Sequence, residues 1–128
     1  MMPRQGVSAL KDLTWYLSGP MAGYAGHNFA AFEETASALR EQGWHIVSPH
    51  EVDPPRADTG DVDVLGCLRE DFLLMVAECE GIMLMPGWPQ SRGARAELAI
   101  ACELGWPVLH VDRGVIIARM DDPGRGAS

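Results

Sequence analysis

The sequence predicts a three-layer α/β/α domain built on a parallel sheet of four or five strands. Three observations lead there. Short apolar runs without polar alternation, "LTWYLSG" (Leu13 to Gly19), "WHIVSP" (Trp44 to Pro49) and "GIMLMP" (Gly81 to Pro86), read as strands covered on both faces. Helical periodicity fills the segments that follow them. Glycine or proline marks most junctions. The resulting β-α-β-α-β-α-β order calls for helices on both faces of the sheet and right-handed crossovers.

Each element has its own justification. Residues 1–12 show no clear periodicity and are expected to form a flexible arm. The first strand runs into the glycine-rich loop "GPMAGYAGHN", where Asn28 is placed to cap the next helix. Phe29, Phe32, Ala36 and Leu39 recur at helical spacing, and Gly43 stops that helix. After the second strand, "HEVDPPRADTGDVD" (His50 to Asp63) is polar and too long for a tight turn. Asp63 begins a helix with Val64, Leu65, Leu68, Phe72, Met75, Val76 and Cys79 on one face. The third strand leads through "GWPQS" to Ser91, a natural N-cap, and to a helix over 92–104 ended by Gly105. "PVLHV" (Pro107 to Val111) is the fourth strand. "GVIIARM" (Gly114 to Met120) fits either a fifth strand or a short helix, and 121–128 is a flexible tail. The single domain therefore spans 13–120.

A chain of 128 residues that is 47% hydrophobic can bury one ordinary core. Its net charge of −8 argues against a nucleic-acid polymer as partner, because counterion release needs a basic face. A small anion at a helix N-terminus is still compatible with that charge. No apolar run reaches the roughly 18 residues of a membrane span. The N-terminus carries no secretory pattern, so a cytoplasmic protein without a membrane partner is expected. Cys67, Cys79 and Cys102 form no CxxC pair and read as buried free thiols. His27, His45, His50 and His110 lack metal-ligand spacing, and no metal or cofactor is expected. A His50–His110 pair at the strand ends is the one histidine arrangement the topology would permit.

Ligands of such sheets bind outside the carboxyl ends of the strands. Those ends are Ser18–Met21, Ser48–His50, Pro86–Ser91 and His110–Asp112. One residue there breaks the pattern. At 100° per residue from Ala94, Glu97 falls at about 300°, between Ala101 and Leu104 in the apolar arc. Arg95, Ala99 and Glu103 take the polar face. A carboxylate aimed at a core must be paired, protonated or lining a cavity. Glu97 is thus either an active-site carboxylate or a structural one bound to an arginine or a backbone group. Asp71 borders the apolar arc of its own helix beside Val64 and Met75, and Glu78 lies close to the same edge. Ser91 either caps its helix by accepting from the amide of Gly93 or Ala94, or adds to an anion site with those amides. Gly93 would admit a close approach there, with Arg92 and Arg95 as counter-charges.

"YLSGPM" on the first strand, an aspartate on the middle helix and "S-x-G-x-x-x-E" opening a later helix resemble the nucleoside 2-deoxyribosyltransferase superfamily. That superfamily includes the 2'-deoxynucleoside 5'-monophosphate N-glycosidases. The resemblance covers roughly residues 13–111 and implies a flavodoxin-like or Rossmann-like fold and cleavage of an N-glycosidic bond. By position, Glu97 resembles the nucleophile that attacks the anomeric carbon, and Asp71 the carboxylate that assists proton transfer to the leaving base. Tyr16, Gly19 and the strand end up to Met21 match the lining of the base and sugar pocket. Ser91 resembles a 5'-phosphate ligand, where transferases acting on free nucleosides tend to carry an aspartate. Trp88 or Tyr24 would stack against the base. The implied partners are a small-molecule nucleotide or nucleoside and, because the family often completes its pocket from a neighbouring subunit, a second copy in a homodimer or higher oligomer. Readings from other classes are a non-catalytic nucleotide-binding or sensor module, and a glycohydrolase of another nucleotide such as NAD.

Overall fold

The computed structural model describes residues 7–21, 23–52 and 72–120. The His50–Asp63 loop beyond Val52, Asp71 and Cys67 lie outside the described residues. Part of the expected arm is a short helix, α1 (Val7–Lys11). It is followed by β1 (Thr14–Ser18), α2 (Phe29–Glu41), β2 (His45–Val47), α3 (Pro49–Val52) and α4 (72–78). The chain continues with β3 (Gly81–Leu84), α5 (Arg92–Glu103), β4 (Val108–Asp112) and β5 (Val115–Arg119). The five strands form one sheet in the order β2-β1-β3-β4-β5.

The first four strands are parallel, as expected. The fifth is not: "GVIIARM" forms a strand that runs antiparallel to β4. The reason is the connection. Asp112 pairs with Val115, leaving only Arg113 and Gly114 between strands, at φ 53° and 85°. Two residues with positive φ make a hairpin turn, whereas a parallel crossover needs about a dozen residues or more.

Strand parity sorts the core into two layers. Trp15 and Leu17 of β1, Met83 of β3 with Met85 just beyond it, and Leu109 and Val111 of β4 pack with Phe32, Ala36 and Leu39 of α2. Tyr16, Ile82, Leu84 and Val108 face the other way, against Met75, Cys79 and Ala101 from the α4 and α5 side. On the first face, Trp15 is fully buried and its Nε1 donates to Leu10 O at 2.8 Å. It meets Trp44 edge-to-face at 5.9 Å. Gly81 exists to admit that ring, since a Cβ there would lie 2.6 Å from it.

Three local expectations are corrected. Asn28 occupies the N-cap position of α2 but makes no cap bond. It sits at φ 61°, and its Nδ2 donates instead to Pro20 O at 2.9 Å, tying the glycine-rich loop to the end of β1. Leu104, placed in the apolar arc, is half exposed because α5 ends at Glu103 and Leu104 is already the C-cap. Val76 is likewise half exposed, one residue round the helix from the buried Met75. The stops Gly43 and Gly105 do lie at positive φ, 98° and 74°.

Arg40 clamps α2 to α3. Its Nη1 and Nη2 each donate to one Glu51 oxygen at 2.6 Å, and Nη2 also donates to Ile46 O at 2.7 Å. The hydrogen bond from Arg40 holds the Glu51 carboxyl below its ordinary value. A lowered folded pKa stabilises the protein above the unfolded value and loses that contribution as pH falls through the folded one. Both side chains are about 40% exposed, which limits the pair to at most about 1 kcal/mol. Glu51→Gln is therefore expected to lower stability slightly at pH 7 and not at pH 2, in urea melts at the two pH values.

Candidate active site

The helix that carries the site starts from a well-defined cap. Gly87 at φ 87° turns the chain out of β3, and Trp88–Gln90 make one 3₁₀ turn. Ser91 is the N-cap of α5, in extended backbone, and its Oγ accepts from Ala94 N at 3.2 Å. Gly93 behind it is half-buried, while Arg92 and Arg95 project to solvent.

α5 then buries Ala94, Glu97 and Ala101, one residue per turn on the side facing the sheet. Glu97 is 6% exposed, in contrast to the exposed Glu103 on the same helix. The wheel's odd carboxylate is indeed inside. Two of its partners come from β1. Tyr16 donates its hydroxyl to Glu97 Oε2 at 3.0 Å, and Ser18 donates to Oε1 at 2.5 Å. A buried carboxylate without donors is costly, and two hydroxyls favour its charged form. The Ser18 bond has the length of a charge-assisted O–H···O⁻ contact, about 2.5–2.7 Å, and the Tyr16 bond is longer. Among the described residues no buried polar side-chain atom lacks a hydrogen-bond partner.

The carboxylate stands where the topology gathers strand ends. Ser18 pairs with Leu84, and Leu84 with His110, so the three residues form a row across the carboxyl ends of β1, β3 and β4. His110 is half-buried and its ring lies 6.0 Å from that of Trp88. From the other side comes the β1–α2 loop. Gly26, His27 and Asn28 run consecutively at φ 58°, 55° and 61°, a left-handed stretch that L-residues rarely sustain. Tyr24, about half exposed, places its hydroxyl 3.0 Å from where a Gly87 Cβ would be. The loops after β1 and β3 therefore meet at Gly87, in the segment that leads to the Ser91 cap of α5.

The remaining expected residues are distributed less simply. Tyr16, expected as pocket lining, is fully buried and acts through its hydroxyl on Glu97. Met21 packs into the α2-side core, the layer opposite Glu97. Gly19 serves strand packing, since a Cβ there would meet the Met85 Cβ at 2.9 Å. The His50–His110 pair does not form, because β1 and β3 separate their strands. His50 lies 2.5 Å from Ser48 Oγ and against the rings of Phe29 and Phe32. Among the described residues no three histidine, cysteine or acidic side chains cluster as metal ligands. Burial pushes the Cys79 thiol up to about 12, so it stays neutral in its helix-side layer. No helix among them is long and apolar enough to cross a membrane. Sequence reasoning missed Ser18 as a Glu97 partner and His110 as the neighbour of Trp88. Strand parity held both signals: Ser18 is two residues from Tyr16, and His110 two from Val108.

Comparison with known proteins adds a family and a fold. The model of DUF4406, a domain of unknown function, matches residues 13–110. No functionally curated protein matches the chain. Among solved structures, a 2-deoxyribosyltransferase from the psychrotolerant bacterium Bacillus psychrosaccharolyticus superposes with a TM-score of 0.58 at 18% identity. The match covers 82% of this chain and 76% of that one. At that identity the likeness is one of fold, and it agrees with the three-layer architecture described above.

Proposed function

The chain belongs to the DUF4406 family, and for it we propose cleavage of the N-glycosidic bond of a (deoxy)nucleoside 5'-monophosphate, with Glu97 as nucleophile. The observation that carries this reading is the buried Glu97 carboxylate, presented by α5 to the end of β1 and held by two hydroxyls. The similar fold of a 2-deoxyribosyltransferase, a biocatalyst for nucleoside synthesis, supports the choice of bond.

The chemistry balances on two carboxyl groups. A Glu97 oxygen attacks the anomeric carbon, forming a glycosyl ester as the C–N bond breaks and its electron pair leaves with the base. Asp71, assigned by resemblance, gives the base its proton. Water then attacks the anomeric carbon, Asp71 recovers a proton, and the ester electron pair returns to Glu97; a second base in place of water makes the reaction a transfer. The transition state is oxocarbenium-like, and an anion beneath it lowers its energy. Ser91 and the first amides of α5 take the 5'-phosphate, with Arg92 as counter-charge, and Trp88 or Tyr24 stacks on the base. A second copy of the chain completes the pocket.

Incubation with a panel of nucleotides, watching for free base, tests the reading. Base release is the expected result. Thermal stabilisation by a nucleotide without base release from any of them would instead indicate a nucleotide-binding module. The phosphate assignment has its own test. Ser91→Ala is expected to lower kcat/KM for the monophosphate by about 10–100-fold, the worth of a hydrogen bond to a charged group, with little change for the nucleoside. The lost helix cap costs about 1 kcal/mol and appears in the melting temperature. Equal losses for both substrates would refute the assignment.

A further inference from the structure

Ser18 has no role in the reaction as described so far, yet its bond to Glu97 is the shorter of the two hydroxyl contacts, 2.5 Å against 3.0 Å. Resting on the nucleophile reading, we infer that Ser18 is a positioning residue that fixes the plane of the Glu97 carboxylate for attack. The terminal torsion of a glutamate is broad and roughly two-fold, so a donor on each oxygen fixes the carboxylate plane more tightly than a donor on one oxygen. Here each oxygen has its own donor: Tyr16 on Oε2 and Ser18 on Oε1. The two donors sit two residues apart on one face of β1, and both are buried to within 1%. Ser18 is the last residue of β1, and its short side chain holds the carboxylate at the strand's carboxyl end, where the ligand rim begins. Tyr16, two residues deeper, must reach along the strand to the same group. The pair holds the carboxylate by both oxygens before substrate arrives, which is where orientation effects on rate originate.

The test separates this role from simple packing. Ser18→Ala is expected to lower kcat about 10–100-fold with KM changed less than about threefold, because orientation is lost and binding is kept. Ser18→Thr, which retains the hydroxyl, is expected to recover most of kcat. Loss confined to KM, or a Thr variant no better than Ala, overturns the inference. A second measurement needs no turnover: the pH titration of the Glu97 carboxyl carbon by NMR. Removing a donor to the charged form raises its pKa. Among the described residues, Tyr16 contacts this carboxylate from β1, while His110 of β4 and the neutral Cys79 share its side of the sheet. Arg95 and Glu103 of α5, and Glu78 and Glu80 around α4, turn to solvent. An unchanged Glu97 titration in Ser18→Ala overturns the inference whether or not the protein turns over. Absence of base release by the wild type overturns the function instead and leaves the titration as the test of Ser18. Should Ser18→Ala lack a thermal transition, Ser18→Cys, near-isosteric and only a weak donor, replaces it in both measurements.

Discussion

Glu97→Gln is expected to lower base release by about a thousandfold or more while leaving the melting temperature equal or higher. An amide of the same shape keeps an acceptor and the packing of α5, but it has no charge to stabilise an oxocarbenium ion and is not a competent nucleophile. The stability half of the expectation follows from burial. Glu97 is almost fully withdrawn from water, so the carboxylate bears a desolvation cost that the neutral amide does not. The two β1 donors are hydroxyls, which can turn to accept as readily as they donate. At these two contacts the substitution leaves no orphaned group, and the expected change in stability stays within about 1 kcal/mol. Activity and stability moving apart is the signature of a residue kept for chemistry. A large fall in melting temperature with Glu97→Gln would identify a structural glutamate instead.

On the opposite face of the sheet the largest effect is on folding. Trp15→Ala is expected to cost about 3–5 kcal/mol, a large share of the 5–15 kcal/mol typical of a domain. The loss combines the transfer of a fully buried indole, the cavity it leaves and the bond from Nε1 to Leu10 O. It also removes the edge-to-face partner of Trp44. A coupled test is available at Gly81, whose missing Cβ makes room for the ring. Gly81→Ala alone is expected to cost about 1–3 kcal/mol through overpacking. In a Trp15→Phe background the same change should cost less, and urea midpoints over the four proteins give the coupling directly. Additive costs would mean that Gly81 and Trp15 do not share the space the structure assigns to them.

Much of the site could be read before the fold was known. Glu97 declared itself because small and apolar residues surround it on a helical wheel, and Ser91 because caps use a narrow residue set. In the structure Glu97 is buried and Ser91 caps α5. Ser18 was hidden for a physical reason. β1 is buried on both faces, so the alternation that would assign Ser18 and Tyr16 to one side is drowned in an apolar run. The direction of β5 was hidden because two turn residues, Arg113 and Gly114, decide it, and their positive φ is invisible to periodicity. Asn28 illustrates competition: the same side chain can cap a helix or tie a loop, and the Pro20 carbonyl took it. Met21 was assigned to the rim by chain position alone, but its side chain was free to choose the other layer.

The central claim is that Glu97 becomes covalently bonded to the sugar. The most direct measurement is mass spectrometry of the protein quenched during incubation with a 2'-fluoroarabinosyl nucleoside monophosphate. Its fluorine destabilises the oxocarbenium-like transition state for breakdown of the glycosyl ester and so lets the ester accumulate. The account predicts an adduct of one sugar phosphate on the peptide containing Glu97, absent from Glu97→Gln. Base release with the adduct on another residue, or with none under conditions of full turnover, would contradict it.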